Sequence, residues 1–447
     1  MRRLGFTSTR TRYAVVVFAV AFVLRLALVT TELVTGPSDL YFTSDSHEYV
    51  ALATHLHDGY LEGDDTDIGK VGVDRTPGYP LVVAGVFAFA GRHLGAVMVF
   101  QALLGSVTAA LTCLLAAKRL EPLIGLLAGL FVAIDPISIA HSGYLLTETV
   151  FTFFVLLATM MVLRTKDTER FGDAAAAGGL IAAAAFVRPI AVYMPLAVIP
   201  FLLFRRATKH TAVVAATLLV CAVSPIAGWT TRNYVVSDAP VFSSVEGRLL
   251  LYYSAASAVA FDEGISLADA QKQLSDEFER KYDDADLTRG ETAQKETAMA
   301  VRTLAHHPKG AVARTAQGIV GVLFGPGDGA VRRLAPVFDR RGIELLLLVP
   351  LGFMQINAIV GATVLWRRDR ALLVLFGVLI FYLSFLPSSV GYSRFRVPIT
   401  PMLAMLAAVG LSSVLTRVCV LKTTNGPAEP SGGKKAERGS ASGRLTH

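Results

Sequence analysis

The chain has 447 residues, of which 53% are hydrophobic and only 17% are charged. Soluble globular proteins average about 25% charged residues, so this composition argues against a soluble enzyme. The formal net charge is +7, but the basic residues stand in short clusters between apolar runs. That pattern indicates membrane topology and not a nucleic-acid-binding surface. The cysteines Cys113, Cys221 and Cys419 are odd in number and lack metal-ligand spacing, so they predict neither a disulfide nor a zinc site.

Long apolar runs predict several membrane-spanning helices, since about 20 apolar residues cross a bilayer as a helix. The predicted spans are 13–31, 96–117, 122–140, 145–163, 173–187, 190–204, 211–229, 344–366, 371–386 and 397–415. We interpret the first as an uncleaved span, because Arg25 interrupts it and no small-residue cleavage site follows. The run 79–90 is too short for an ordinary span, and we expect a re-entrant or interfacial helix there.

The basic clusters predict the orientation of these spans. They fall at 1–12, 118–119, 164–170, 205–210, 366–370 and 417–435. If the N-terminus is cytoplasmic and 79–90 does not cross, all of them lie on the cytoplasmic side. The sequence therefore predicts an all-α polytopic protein of the inner or plasma membrane, with both termini in the cytoplasm.

The same topology predicts the domain organisation. Residues 1–229 form an N-terminal transmembrane module with its first outer loop at 32–78, and residues 344–416 form the C-terminal transmembrane helices. Between them, 230–343 is an extracytoplasmic helical segment, with surface helices expected at 266–282 and 291–306 and an apolar stretch against the membrane at 311–324. The Gly-, Ser- and Lys-rich residues 417–447 predict a disordered, basic, cytoplasmic tail.

Charged residues at the outer ends of the spans are the candidates for function, because charge close to a span is costly. They are the carboxylates Asp45, Glu48 and Glu148 and the arginines Arg75, Arg188, Arg232, Arg394 and Arg396. Five arginines on the side that normally lacks them predict a bound anion, and the planar guanidinium suits phosphate. Structural roles compete with this interpretation: helix capping for Asp45, the helix dipole for Glu148, and interfacial anchoring for the arginines.

Six short motifs together resemble a known family. They are Asp45-Ser-His-Glu48-Tyr49, Arg75-Thr-Pro-Gly-Tyr-Pro80, Thr147-Glu148, Arg188-Pro189, Arg232-Asn233-Tyr234 and Arg394-Phe-Arg-Val-Pro398. In this order they resemble the polyprenyl-phosphate-sugar-dependent glycosyltransferases of the GT-C fold, the superfamily of protein O-mannosyltransferases and lipid A aminoarabinose transferases (glycosyltransferase family 39). The resemblance implies a GT-C-like helix bundle, with Asp45 as the catalytic carboxylate and outer arginines that hold the lipid phosphate.

The chain departs from that family at two points. Protein O-mannosyltransferases carry adjacent Asp-Glu in the first outer loop, whereas Ser46-His47 separate Asp45 from Glu48 here. The chain also lacks their large soluble insertion. The resemblance therefore leaves the role of Glu48 open, and the acceptor can be an envelope glycan, a lipid or a protein.

The leading hypothesis is a membrane glycosyltransferase with a polyprenyl-phosphate-linked sugar as donor and an inverting displacement. The donor already has a good leaving group, so the site needs a base for the acceptor and positive charge for the departing phosphate. No cofactor is required, although Asp45 and Glu148 also allow a bridging divalent metal. The alternatives are a transporter or flippase of a lipid phosphate or other anion, and a structural membrane subunit. Transporters often contain inverted repeats, and no internal repeat is evident here.

Overall fold

The structure is a computed structural model that describes residues 2–35, 42–59, 72–204, 207–283, 285–327, 340–388 and 390–424. The α-helices, numbered in chain order, are α1 (Arg2–Thr35), α2 (Ser44–His57), α3 (Gly78–Ala90), α4 (Leu94–Arg119), α5 (Pro122–Ile134), α6 (Pro136–Gly143), α7 (Glu148–Thr168), α8 (Phe171–Val187), α9 (Met194–Leu203), α10 (Lys209–Ser237), α11 (Val245–Leu249), α12 (Ala256–Glu263), α13 (Leu267–Tyr282), α14 (Arg289–His306), α15 (Pro308–Phe324), α16 (Arg340–Arg368), α17 (Arg370–Phe385) and α18 (Thr400–Thr424). Two 3₁₀ segments, Pro189–Tyr193 and Ser393–Ile399, and a π-helical segment, Leu250–Ala255, lie between them.

Within the described ranges, six helices are long and apolar enough to cross a membrane, and the bent pair α5–α6 would make a seventh. The chain is therefore a multi-pass membrane protein, as the sequence predicts. The predicted spans at 173–187, 190–204 and 371–386 form apolar helices of 10–17 residues, which are shorter than those six. Helix α3 belongs to the same short class and covers the run for which we expect a re-entrant or interfacial helix.

The predicted single span 122–140 is in fact two helices that meet at a bend of 51°. Pro136 lacks a backbone N–H and its ring disfavours a continued helix. The carboxylate of Asp135 accepts a hydrogen bond from the Ser138 backbone N–H at 2.8 Å and so caps the start of α6. The bend places α6 and the segment after it beside Glu148, the first residue of α7.

Arg25 compensates for the backbone groups that this bend releases. Its buried guanidinium donates to the carbonyl oxygens of Val132 at 3.1 Å and Ala133 at 3.0 Å, at the end of α5. A carbonyl at a helix end has no partner within the helix and must find one elsewhere. A charged residue inside an apolar span is costly, and these bonds explain why Arg25 is accommodated within the first span.

The two ends of the bundle differ in charge. Helix α7 begins at Glu148 and carries Lys166 in its last turn, about 27 Å away at 1.5 Å per residue. Close to the Lys166 end, Arg119 pairs with Asp167 on the same side of the bundle. Several basic clusters of the sequence thus gather at one end, which we call the basic end, and the candidate site lies at the other.

The helices predicted for the segment 230–343 are present with small shifts. Helix α13 follows an N-cap at Ser266, and α14 follows a capping box at Thr288. At the other terminus, α18 continues to Thr424, so the predicted tail 417–447 begins as helix. The remainder of that tail, 425–447, lies outside the described residues, as do the loop residues 36–41 and 60–71.

Helices α16 and α18 approach each other most closely at two glycines. An added Cβ at Gly361 would lie 1.8 Å from the carbonyl oxygen of Leu406, and one at Gly410 would lie 2.0 Å from that of Asn357. Small residues at such crossings allow the backbones of membrane helices to touch. No other residue fits either position without moving the helices apart.

We therefore expect Gly361→Ala to destabilise the protein by about 1–3 kcal/mol, the usual cost of overpacking. Gly352→Ala is the matched control, since it lies on the same helix with nothing within 4 Å of the added Cβ. Thermal unfolding of the purified protein, followed with a thiol-reactive dye, measures both. Equal unfolding temperatures for the two variants would contradict the close crossing.

Candidate active site

Asp45 lies in the first turn of α2, and its side chain is not the helix cap. Thr43 is the N-cap: its hydroxyl accepts from the Ser46 backbone N–H at 3.3 Å, while the Ser46 hydroxyl accepts from the Thr43 backbone N–H at 3.1 Å. This reciprocal capping box satisfies the helix start. The capping role that competes for Asp45 in the sequence therefore belongs to Thr43, and the Asp45 carboxylate is available for other contacts.

Arg75 holds the carboxylates of α2 in place. Its Nη2 donates to Oδ1 of Asp45 at 2.8 Å, and its Nε donates to Oε2 of Glu48 at 2.7 Å. Its Nη1 donates a longer bond, 3.4 Å, to the Tyr49 hydroxyl, and the guanidinium lies 5.1 Å from the centre of the Tyr49 ring. All three guanidinium nitrogens of Arg75 thus donate to protein groups, so this residue positions the carboxylates of Asp45 and Glu48.

Arg394 joins the first outer loop to the start of α7. Its Nη1 donates to Oδ2 of Asp45 at 3.5 Å, and its Nε lies 3.8 Å from Oε1 of Glu148. Arg188 donates from Nη1 to the same Glu148 oxygen at 3.0 Å. The other oxygen of Glu148, Oε2, is buried without a hydrogen-bond partner among the described residues. The structure thus gathers Asp45, Glu148, Arg188 and Arg394 into one cluster.

Phe395 contacts both arginines of this cluster. The guanidinium carbon of Arg188 lies 5.0 Å from the centre of the Phe395 ring, and that of Arg394 lies 5.1 Å from it. Cation–π contacts of this kind restrain a guanidinium without consuming its N–H groups. For Arg188 Nε and Nη2 and for Arg394 Nη2, no hydrogen bond to a described residue is present.

Two of the predicted phosphate-binding arginines lie elsewhere. Arg396 is 1% exposed and donates to the carbonyl oxygens of Val322, Leu323 and Gly325, so it caps the C-terminal end of α15. Arg232 donates to the Gly72 carbonyl oxygen at 3.3 Å and lies over the Trp229 ring. Neither lines the cavity described next, so the structure does not bring these two arginines together with Asp45 and Arg394.

The cluster opens into a cavity of about 1350 Å³, larger than the ~300–1,000 Å³ of ordinary ligand sites. One wall carries Asp45, Glu48, Arg75, Glu148, Arg188 and Arg394. Another carries residues of α11, of the π-helical segment and of α13. The cavity is therefore shared by the transmembrane part and the segment between α10 and α16.

The surrounding charges keep Asp45 ionised. Burial raises the pKa of its carboxyl, but Arg75, Arg394 and Arg188 outweigh burial and hold the pKa below the ordinary value. For Arg75, burial lowers the pKa of the guanidinium, while Tyr49, Asp45 and Glu48 together raise it above the ordinary value. Asp45 and Arg75 thus form a stable pair of opposite charges at neutral pH.

The metal that Asp45 and Glu148 would allow stays a prediction. Among the residues that the structure covers, no three His, Cys, Asp or Glu side chains come together in a way that suits a metal ion. Arg394 contacts both carboxylates, so it supplies a positive charge between them. A bound divalent ion would have to displace that guanidinium or share the two carboxylates with it.

Several further ionisable residues line the cavity without being among the predicted site residues, and Tyr49, His141 and Glu246 are three of them. His141 is buried in α6, where Nδ1 lies 2.9 Å from the Ile137 carbonyl oxygen. Glu246 stands in the largely apolar stretch 241–253, and a lone carboxyl in such a stretch is the signal that could identify it. Tyr49 directly follows Glu48 in the sequence, and its contact with Arg75 in the structure shows that it belongs to the charged cluster.

Comparison with known proteins shows that the chain shares its fold with solved enzymes of the GT-C type. The oligosaccharyltransferase AglB from Archaeoglobus fulgidus, solved with an inhibitory peptide and a dolichol-phosphate, matches with a TM-score of 0.50 and 14% identity over 94% of this chain and 52% of that chain. The apo form of the Archaeoglobus fulgidus oligosaccharyltransferase matches with a TM-score of 0.51 and 15% identity, over 92% of this chain and 51% of that chain. The chain therefore has this fold, as the resemblance implies, and spans about half the length of these enzymes.

The family model for dolichyl-phosphate-mannose-protein mannosyltransferases matches residues 74–229, in agreement with the resemblance found in the sequence. ArnT from Cupriavidus metallidurans bound to undecaprenyl phosphate is also similar, with a TM-score of 0.40 and 13% identity over 94% of this chain and 81% of that chain. No curated protein matches the chain.

Proposed function

We propose that this chain is a membrane glycosyltransferase that moves a sugar from a polyprenyl phosphate to an acceptor on the extracytoplasmic side, with inversion at the anomeric carbon. The observation that carries the proposal is the double contact of Arg394 with Asp45 and Glu148. An acid and several guanidinium groups from distant parts of the chain share one cavity. The family model and the GT-C fold agree with this chemistry.

Arg188 and Arg394 are the proposed phosphate-binding residues. Both retain guanidinium nitrogens without a hydrogen bond to a described residue, and both are held by Phe395. Guanidinium N–H groups bind phosphate oxygens in pairs, with charge-assisted hydrogen bonds. Arg75, whose nitrogens are occupied, positions Asp45 and Glu48 in this scheme.

Asp45 is the proposed proton acceptor. The acceptor oxygen attacks the anomeric carbon, the bond from that carbon to the phosphate oxygen breaks, and its electron pair leaves with the polyprenyl phosphate. The attacking hydroxyl becomes strongly acidic as its bond to carbon forms, so a carboxylate with a low pKa can still take its proton. The positive charges of Arg188 and Arg394 stabilise the departing phosphate, the type of contribution that is often largest in catalysis.

The charge distribution supports an extracytoplasmic site. The basic end of α7 and the cavity end are separated by about 27 Å, close to the thickness of the hydrocarbon core, which is about 30 Å. Basic residues concentrate on the cytoplasmic side of membrane proteins, and Arg119 lies at the end opposite to Glu148. We therefore assign the cavity to the outer side and both termini to the cytoplasm.

The direct test supplies a donor to the purified protein in lipid nanodiscs. Polyprenyl-phosphate mannose and, separately, polyprenyl-phosphate arabinose are added, and free polyprenyl phosphate is measured. We expect its release to depend on the protein, and NMR of the product to show the inverted anomeric configuration. Movement of intact donor across vesicle membranes without any release would instead identify a flippase.

A further inference from the structure

Glu246 lies in the cavity but outside the charged cluster. The carboxylate lines the same space as Asp45 and Arg394. The groups that shift the pKa of Asp45 or Arg75 do not include Glu246. Among the residues covered by the structure, it makes no ion pair. A carboxyl that is half-buried and unpaired is costly unless a ligand or a proton satisfies it.

The backbone around Glu246 is fixed by close packing. A Cβ added at the neighbouring Gly247 would lie 2.3 Å from the carbonyl oxygen of Ala293, so α11 presses directly against α14. The π-helical segment Leu250–Ala255 follows α11 without a break. π-Helical turns are rare and frequently occur at functional sites. The position of Glu246 is therefore set by the fold and not by its own side-chain contacts.

The wall also carries the charged residues Arg248, Lys272 and Asp276. Its neutral groups suit a polyhydroxylated ligand. Tyr252 and Tyr253 of the π-helical segment, together with Tyr193 of the 3₁₀ segment, supply aromatic rings. Gln271 and Ser275 of α13 supply neutral hydrogen-bonding groups. Hydroxyl and amide groups both donate and accept hydrogen bonds, which is what a sugar requires, and aromatic faces pack on the apolar face of a sugar ring. We call this surface, with Glu246, the acceptor wall.

We propose that Glu246 and the acceptor wall bind a carbohydrate acceptor, with the Glu246 carboxylate accepting hydrogen bonds from its hydroxyl groups. This inference rests on the proposed function, because it divides the cavity into two binding sites. The lipid-phosphate donor binds at Arg188 and Arg394, and the glycan acceptor binds at the acceptor wall. In this scheme Glu246 binds the glycan that receives the sugar, and Asp45 takes the proton from its attacking hydroxyl. The acceptor class, which the motifs leave open, is thereby assigned to a glycan.

Protonation supplies a readout that a purely structural residue would not give. Burial raises the pKa of Glu246 to about 7. The titratable groups whose charges interact with it are the phenols of Tyr193 and Tyr382, which ordinarily titrate near ~10. The carboxyl is therefore protonated below neutral pH and ionised above it, and ionised oxygens accept stronger hydrogen bonds.

The test compares wild type, Glu246→Gln and Glu246→Asp in nanodiscs, with Glu263→Gln as the matched control on an exposed part of α12. The probes are radiolabelled polyprenyl-phosphate mannose as donor and the cell-envelope fraction of the source organism as acceptor. The labelled product is divided into glycan, lipid and protein by glycosidase digestion, solvent extraction and protease digestion. Binding of polyprenyl phosphate alone is measured in parallel.

We expect the label in the glycan fraction. Transfer should fall by about 10-fold or more in Glu246→Gln and by less in Glu246→Asp. Binding of polyprenyl phosphate should be unchanged in both variants. Losing one charge-assisted hydrogen bond at about 1.5–3 kcal/mol gives a loss of this size. In wild type, kcat/KM for the acceptor should rise as the pH passes about 7, and this rise should vanish in Glu246→Gln. Label in protein or lipid, or full transfer by Glu246→Gln, would overturn the inference while leaving the donor chemistry intact. Absence of polyprenyl phosphate release from wild type with both the mannose and the arabinose donor would instead refute the proposed function.

Discussion

Asp45→Asn should lower sugar transfer by about 10²–10⁴-fold, the usual contribution of a positioned base, without unfolding the protein. The amide keeps the shape of the side chain but cannot accept the proton of the acceptor. Arg75 would still be held by Glu48 and Tyr49, so the start of α2 should keep its place. Release of free polyprenyl phosphate, measured with saturating donor, gives the comparison.

The matched control is Asp58→Asn. Asp58 follows the last residue of α2 and pairs with Arg92 on the surface, so the control removes the same charge and one ion pair outside the cavity. We expect near-wild-type turnover for Asp58→Asn, and we expect both variants to elute like wild type and to unfold cooperatively at neutral pH. Wild-type turnover by a folded Asp45→Asn protein would remove the central assignment.

Acidification tests the same residue through stability. The pKa of Asp45 is below its ordinary value in the folded protein, because Arg75, Arg394 and Arg188 outweigh burial. Its ionised form therefore contributes stability above the ordinary pKa of an aspartate, and that contribution is lost as the pH falls through the lowered value. Asp45→Asn should accordingly narrow the difference in unfolding temperature between neutral and strongly acidic buffer.

Arg394→Ala should reduce transfer by about 10²–10³-fold or more, by analogy with the loss of one preorganised donor to a developing anion. It removes a partner of both Asp45 and Glu148 and a proposed phosphate ligand. Arg394→Lys keeps the charge, but a single ammonium cannot reproduce the planar fork, so we expect only partial recovery. Affinity for polyprenyl phosphate should fall in the same order as transfer.

Arg92→Ala is the control for this series, since Arg92 is exposed and pairs only with surface Asp58 among the described residues. It should leave both transfer and polyprenyl phosphate binding unchanged. Arg394→Lys with wild-type affinity for polyprenyl phosphate would argue that the guanidinium geometry is irrelevant. In that case, a positive charge at position 394 would suffice to bind the lipid phosphate.

Much of the fold can be predicted from the sequence because apolar runs and basic clusters report on the membrane directly. The bend at Asp135 was not predicted, since the run 122–140 has the length of one span and the polar Asp135-Pro136 pair stands inside it. Its stability also depends on Arg25, more than a hundred positions away in the sequence. Long-range contacts of this kind leave no periodic pattern.

The sequence predicts which residues are candidates for the site, but it does not predict which of them come together in space. Arg394 and Arg396 are two positions apart in one 3₁₀ segment, yet the first contacts Asp45 and the second caps α15. Which of the two enters the cavity is decided by the packing of neighbouring helices, which motif spacing does not record. For the same reason, the sequence does not reveal that Glu246 shares a cavity with Asp45.

The contact of both Arg188 and Arg394 with Phe395 has a consequence for how the chain can be divided. The segment that matches the mannosyltransferase family model, 74–229, contains Arg75, Glu148 and Arg188 but neither Asp45 nor Arg394. A protein trimmed to that segment would retain Glu148 and Arg188 but lose Asp45 and Arg394, the residue that bridges Asp45 to Glu148. The proposed activity therefore requires the complete cluster, and separately expressed fragments would regain it only by associating so that Arg188 and Arg394 contact Phe395 again.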